Sequence, residues 1–142
     1  MGTEPQYTAK GVIGLMTIYG IILSTIIIAI RYTYYIYPDS LFSSGNVYMM
    51  MIAQITLVFF AQKRAKRSGI KSFIHLFIMG VYCFATSEMI YQFFDWSYNQ
   101  SYGITSVFIR WIKWTAIFTI VPAINAFILK RKLSEKRLTT MR

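Results

Sequence analysis

The stretch GVIGLMTIYGIILSTIIIAI, residues 11–30, contains no charged side chain. A helix needs about 20 predominantly apolar residues to cross a hydrocarbon core that is about 30 Å thick. A second uncharged stretch, residues 47–61, follows after a short break. Stretches of this length and composition predict a protein that is embedded in a membrane.

The overall composition agrees with this prediction. Hydrophobic residues make up 56% of the chain and charged residues 14%, whereas soluble domains contain roughly 45–50% and about 25%. A soluble protein with so few charges could not cover its apolar surface. The 142 residues are enough for one domain, and the chain shows no internal repeat. We therefore expect a single transmembrane domain over residues 1–142.

Four helical spans are predicted, separated by helix-breaking or polar segments. Pro38 and Asp39 end the first helix, and the sequence SSGN before the second provides capping residues. The predicted fold is an all-α, four-helix transmembrane bundle. Its spans cover about residues 11–37, 46–62, 72–94 and 107–129, and a basic tail follows at 130–142.

The basic residues predict the orientation of these spans. Two short clusters hold 11 of the 15 Lys and Arg residues, whereas the other two loops carry none. Because basic residues favour the cytoplasmic side, we expect a multi-pass protein with both termini in the cytoplasm. The net charge of +10 then indicates contact with anionic lipid headgroups rather than with nucleic acid. The residues expected to make that contact are Lys63, Arg64, Lys66, Arg67, Lys130, Arg131 and Lys132.

Small and polar side chains predict which helix faces point inward, because they let helices approach closely in lipid. In the first span, Gly20 and Ser24 form such a pair. In the third, Glu88 and Asp95 share a face with Gly80 and other small or polar residues. In the fourth, Pro122 is expected to kink the helix unless neighbouring residues compensate, because it cannot donate a hydrogen bond to the carbonyl of Phe118.

An ion pair between Arg31 and Glu88 is the central prediction about side chains. Both lie on inward faces. Counting about 1.5 Å per residue places them at depths that a leaning arginine arm could bridge. Asp95 is expected nearer the outer surface. Arg110 and Lys113 lie within reach of the outer interface, where they would contact headgroups, an acidic residue or a partner subunit.

Three roles for Glu88 follow from the sequence. A charge at membrane depth can fix which helices meet, serve as a proton or cation site, or contact another subunit. If Glu88 belongs to a transport path, then Gln54, Asn125 and Tyr91 are the further residues expected to line that path or a cavity.

The sequence contains no recognisable catalytic motif, and its His, Cys and Met residues do not have metal-ligand spacing. We therefore expect no cofactor and no metal. The favoured function is a non-catalytic accessory or scaffolding subunit of a larger membrane complex, of an energy-converting, oxidative or transport type, with other integral membrane subunits as partners. The alternatives are a homo-oligomeric transporter or channel that is coupled to protons or cations through Glu88 and, third, a membrane enzyme acting on lipid.

Overall fold

The structure, a computed structural model, describes residues 9–37, 42–100 and 102–140, without the side chains of residues 9, 42–45 and 132–140. The described residues are helical apart from short connections. The helices are α1 (Ala9–Ile36), α2 (Phe42–Arg67), α3 (Phe73–Asn99), α4 (Ile104–Phe118) and α5 (Ile120–Thr140).

Helices α1 and α3 run in the same direction. Thr17, early in α1, shares a hydrogen bond with Tyr82, early in α3. Tyr35, near the end of α1, donates to Asp95, near the end of α3. Helix α2, which joins them, therefore runs back along the same length.

Helices α4 and α5 run antiparallel to α3. The ring of Phe108 packs on that of Phe93, and Phe118, further along, stacks on Phe84. Lys66, near the end of α2, donates to the backbone carbonyl of Leu129 in α5. The start of α1, the end of α2 and the end of α5 consequently meet at one end of the bundle.

The apolar core joins α1, α2, α3 and α5. Gly20 allows the close approach of α1 to α3 that the sequence predicts, because a Cβ at this position would lie 3.0 Å from the carbonyl oxygen of Cys83 and from the Cβ of Thr86. Contacts this short leave no room for a larger side chain. The fully buried large residues of the core include Met16, Leu23, Ile27, Val58 and Leu76.

The fourth predicted span is interrupted at Thr119, between α4 and α5, where the sequence predicts a kink. Pro122 has no backbone N–H to donate to Phe118. The backbone adjusts locally: the Thr119 amide and hydroxyl both donate to the carbonyl of Ala116, at 3.4 and 2.7 Å.

A buried glutamine ties three helices together on the basic side of this interruption. The side-chain amide of Gln62, in α2, donates to the carbonyl oxygens of Leu76 in α3 and Pro122 in α5, both at 2.9 Å. Gly80 leaves the space for it, because a Cβ there would lie 2.5 Å from the Gln62 amide nitrogen and 2.8 Å from Pro122 Cβ. We call Gln62, Gly80 and Pro122 the glutamine clamp.

Within the described residues, three helices are long and apolar enough to cross a membrane. They cover Lys10–Ile36, Phe73–Asn99 and Ile104–Arg131, and the last continues through the interruption at Thr119. Helix α2, the second predicted span, is not one of the three. Polar residues within it, among them Asn46, Gln54 and Gln62, lower its hydropathy.

The helices are longer than the predicted spans. Helix α2 continues to Arg67 and α5 to Thr140, so segments that were assigned to a basic loop and a basic tail are helical. Lys and Arg have high helix propensity, and an apolar pattern therefore marks the limits of a span rather than those of its helix. Residues 141–142 of the predicted tail and the Pro38–Asp39 break lie outside the described residues.

Replacing Gly80 by alanine should lower the free energy of unfolding by about 1–3 kcal/mol, because the new methyl group overpacks the glutamine clamp. Gly14→Ala is the matched control, since nothing lies within 4 Å of a Cβ at that helical position. Equilibrium unfolding in detergent micelles measures both. Equal stabilities of the two variants would contradict the packing described for the clamp.

Candidate functional site

A partly open cavity of about 260 Å³ lies between α2 and α4, at the end of the bundle opposite the basic cluster. Helices α2 and α4 do not contact each other in the described part of the chain. The gap between them is floored by α3, and α1 contributes one side chain. The polar residues that line the cavity are Arg31, Gln54, Glu88, Tyr91, Gln92, Asp95 and Arg110.

Helical spacing brings the residues of α3 to this cavity. Glu88, Gln92 and Asp95 recur every three or four residues, and Tyr91 lies among them, so all four share one face of the helix. From α2, Met50 and Gln54 reach the cavity four residues apart, and from α4, Arg110, Trp114 and Phe118 do the same. The apolar members of these sets form the walls around the polar groups.

Asp95 is the most fully satisfied acidic residue at the site. Its Oδ1 accepts hydrogen bonds from the Tyr35 hydroxyl at 3.1 Å and from the Asn99 amide at 2.9 Å. Its Oδ2 accepts one from the Tyr102 hydroxyl and lies 3.6 Å from Arg110 Nη1. Asp95 is thus the acidic residue beside Arg110. An acidic contact was one of the possibilities that the sequence left open for Arg110 and Lys113.

Tyr102 lies in the connection between α3 and α4 and holds the outer side of this group. Its ring lies 4.1 Å from the Arg110 guanidinium carbon, at cation–π distance. Burial and the hydrogen bond to Asp95 raise the pKa of Tyr102 to about 12. The phenol therefore stays protonated, and remains a donor to Asp95, at any physiological pH.

Glu88 has fewer hydrogen-bond donors around its carboxylate than Asp95 has. The residue is 4% exposed, and its Oε1 accepts a hydrogen bond of 2.6 Å from the Gln92 amide one turn further along α3. No described cation lies within ion-pair distance of it. Gln92 is itself buried, and its Oε1 has no hydrogen-bond partner among the described residues. Two acceptor groups therefore face the cavity region with one donor between them.

The expected ion pair between Arg31 and Glu88 is not formed. Arg31 lies one turn before Tyr35, which is level with Asp95, so the arginine is level with Tyr91, about one turn further out than Glu88. Its guanidinium carbon lies 5.2 and 5.1 Å from the ring centres of Tyr34 and Tyr35. These cation–π contacts keep the arm at its own level, and it does not lean toward Glu88.

Of the other candidate lining residues, Gln54 and Tyr91 lie in the cavity wall. Asn125 does not. It is buried in α5, one turn beyond Pro122 and therefore toward the basic end, and its Nδ2 has no partner among the described residues. Lys113 is exposed on α4 and is not part of the cavity.

Several residues of the site were not singled out as site residues from the sequence, among them Gln92, Trp111, Trp114 and the three hydrogen-bond donors to Asp95. Gln92 was detectable, because it lies four residues after Glu88 on the same helical face. Trp111 and Trp114 had no role in the sequence analysis. In the structure, Trp111 Nε1 donates to the carbonyl of Ala85 in α3 at 2.8 Å, and Trp114 lines the cavity.

The basic residues gather at the other end of the bundle. Arg64, Arg67, Lys130 and Arg131 are exposed, and the Lys63 ammonium lies 6.0 Å from the ring centre of Phe60. Lys66 is partly buried through its bond to α5, and Lys132 lies outside the described side chains. The described residues contain no group of three His, Cys, Asp or Glu side chains that could hold a metal ion.

Asp95→Asn should lower the free energy of unfolding by about 2 kcal/mol or more, because it weakens three charge-assisted hydrogen bonds at a buried carboxylate. Arg110→Gln should cost less than about 1 kcal/mol, since the arginine side chain is 48% exposed and solvent screens the pair. Unfolding in detergent at neutral pH compares the two variants. If Arg110→Gln lowered the free energy of unfolding as much as Asp95→Asn, the ion pair would contribute more to stability than proposed here.

No protein-family model, curated protein or solved structure matches the chain. A functional assignment therefore depends on the geometry of the bundle and of the cavity between α2 and α4.

Proposed function

We propose that the chain is an integral membrane protein of four crossing helices that serves as a non-catalytic accessory or scaffolding subunit of a larger membrane complex. The single observation that carries the proposal is the lateral gap between α2 and α4, with polar side chains inside it. Hydrocarbon cannot hydrogen-bond to such groups. A helix of another subunit, packed over the gap, would separate them from lipid.

The parallel direction of α1 and α3 supports the proposal that α2 crosses the membrane. If α1 and α3 cross a membrane in the same direction, the segment between them has to return across it. Helix α2 has 26 residues, which at 1.5 Å per residue is about 39 Å and long enough for a crossing. Gln62, which lowers its hydropathy, is buried inside the bundle, and Gln54, which is also buried, lines the cavity that the proposed partner helix would cover.

The position of the basic residues supports cytoplasmic termini. The basic end of α2, the start of α1 and the end of α5 lie at one end of the bundle. The positive-inside rule assigns this end to the cytoplasm. Exposed Arg64, Arg67, Lys130 and Arg131 would there contact anionic headgroups, each contributing about 1 kcal/mol near a charged surface.

The transporter alternative has less support from the same geometry. Arg31 and Arg110 line the outer part of the cavity, between Glu88 and the outer side, where fixed positive charge disfavours the passage of a cation. Toward the basic end, the stacked rings of Phe84 and Phe118 and the glutamine clamp stand between the cavity and the cytoplasmic side. No geometric feature favours the third candidate, an enzyme acting on lipid.

Extraction from its native membrane in a mild detergent, followed by native mass spectrometry, tests the subunit proposal. We expect the chain to be released in a complex of defined stoichiometry with at least one other integral membrane protein. A homo-oligomer as the only species would contradict the proposal and favour the transporter or channel. Extraction in several detergents of different chain length controls for loss of partners during solubilisation.

A further inference from the structure

The two acidic residues in the cavity differ in their hydrogen-bond and charge partners, and this difference indicates the chemistry of a group that could bind beside Glu88. Asp95 has three hydrogen-bond donors and a guanidinium. Glu88, equally buried, has the Gln92 amide and no described cation. A carboxylate at membrane depth is costly without an opposite charge, and the chain leaves this one without such a partner.

The two cations that line the cavity do not form an ion pair with Glu88. Arg110 lies beside Asp95 and against the Tyr102 ring. Arg31 is held over the rings of Tyr34 and Tyr35. Neither one is positioned to neutralise Glu88. In the outer part of the cavity, Arg110 therefore lies beside the Asp95 carboxylate. In the inner part, no described cation lies beside the Glu88 carboxylate.

The inner part offers acceptors to a group with several donors. Glu88 has a second carboxylate oxygen, and Gln92 Oε1 is buried without a partner. A lysine ammonium carries a positive charge and three donors but no acceptor, so one such group can satisfy both oxygens. The rings of Tyr91, Trp114 and Phe118 line the same cavity and favour a cation further.

The size of the cavity limits how a partner can reach Glu88. A helix is about 10–12 Å in diameter and does not fit into a volume of about 260 Å³, which suits one long side chain. The rim of the gap is apolar and exposed, with Val47 and Met51 on α2 and Trp114 on α4. A helix lying across this rim would bury apolar surface and extend one arm inward.

We propose that the partner is a transmembrane helix carrying a lysine, which docks over the gap between α2 and α4 and places its ammonium group at Glu88 and Gln92. This inference deepens the proposed subunit function and rests on it for the identity of the occupant as a protein. It specifies the position and the charge of the partner residue.

Synthetic transmembrane peptides test the inference directly. The probe is a Leu/Ala helix with one lysine at the depth of Glu88, and the control peptide has glutamine in place of the lysine. Binding to the full-length protein in phosphatidylcholine vesicles is followed by energy transfer between labels. We expect the lysine peptide to bind at least about tenfold more tightly, a difference of about 1.4 kcal/mol.

Variants of the protein locate the effect. Glu88→Gln, which keeps the size of the side chain and its place beside Gln92, should abolish the preference for lysine. Lys113→Gln on the exposed side of α4 is the matched control and should leave the preference intact. Thermal unfolding of each variant verifies its fold. If Glu88→Gln fails to fold, the comparison of the two peptides on the wild-type protein still tests whether docking requires a lysine.

Several outcomes would overturn the inference. Equal binding of the two peptides would mean that docking does not depend on charge, and absence of binding would exclude the gap as a docking site. A preference that disappears in phosphatidylethanolamine vesicles would assign the inner cavity to a lipid headgroup. These results decide the site and the charge of the partner, and the native mass measurement decides separately whether the chain belongs to a complex.

Discussion

The close contact of α1 with α3 at Gly20 is the constraint on which the rest of the structure depends. The two helices run parallel, and at this contact a Cβ on residue 20 would lie 3.0 Å from the carbonyl oxygen of Cys83 and from the Cβ of Thr86, tighter than ordinary packing. A parallel pair requires the connecting segment to return along its full length, so the polar helix α2 becomes part of the bundle. The same arrangement collects the start of α1, the end of α2 and the described part of α5, with the basic residues at 63–67 and 130–131, at one end. At the other end, α2 and α4 lie on different sides of α3 and leave the gap that forms the cavity.

Polar groups inside a bundle in lipid must be satisfied by the protein itself, because hydrocarbon offers no hydrogen bonds. The Gln62 side chain meets this requirement only for its amide N–H groups, which donate to the carbonyls of Leu76 and Pro122 and join α2, α3 and α5. Its Oε1 has no partner among the described residues. Asp95 meets it with donors from α1, from α3 and from the connection after α3. Glu88 meets it only in part. What distinguishes Glu88 is that it is a buried acid beside the cavity with no described cation in ion-pair distance, whereas Asp95 has Arg110. This contrast between the two acids is the basis for the partner proposed at the inner cavity.

Much of the fold could be predicted from the sequence, because it follows from local patterns. The uncharged stretch at 11–30 predicts α1, Pro122 predicts a kink in the fourth span, and Gly20 predicts the close approach to a neighbouring helix. Helical spacing also predicts which face of α3 carries Glu88 and Asp95. The ends of the helices were less predictable, since lysine and arginine continue a helix beyond its apolar part.

The side-chain partners within the site could not be predicted. Counting residues gave Arg31 and Glu88 depths about one helical turn apart, and the pairing then required the arginine to lean inward. Tyr34 and Tyr35 instead offer their ring faces at the level of Arg31. The role of Gln62 was also hidden, because a glutamine at the cytoplasmic end of a span looks like an interface residue. Its partners are backbone carbonyls of helices that lie far away in the sequence.

The crossing of α2 is the claim on which the gap, the orientation and the proposed docking site all depend. Cysteines introduced at Tyr37 and at Ser68, on either side of α2, in a Cys83→Ala background, can be labelled in sealed membranes with a maleimide that does not cross lipid. We expect the maleimide to label Tyr37→Cys only from the outer face and Ser68→Cys only from the cytoplasmic face. Labelling of both positions from the same face would mean that α2 does not cross, and would contradict the account.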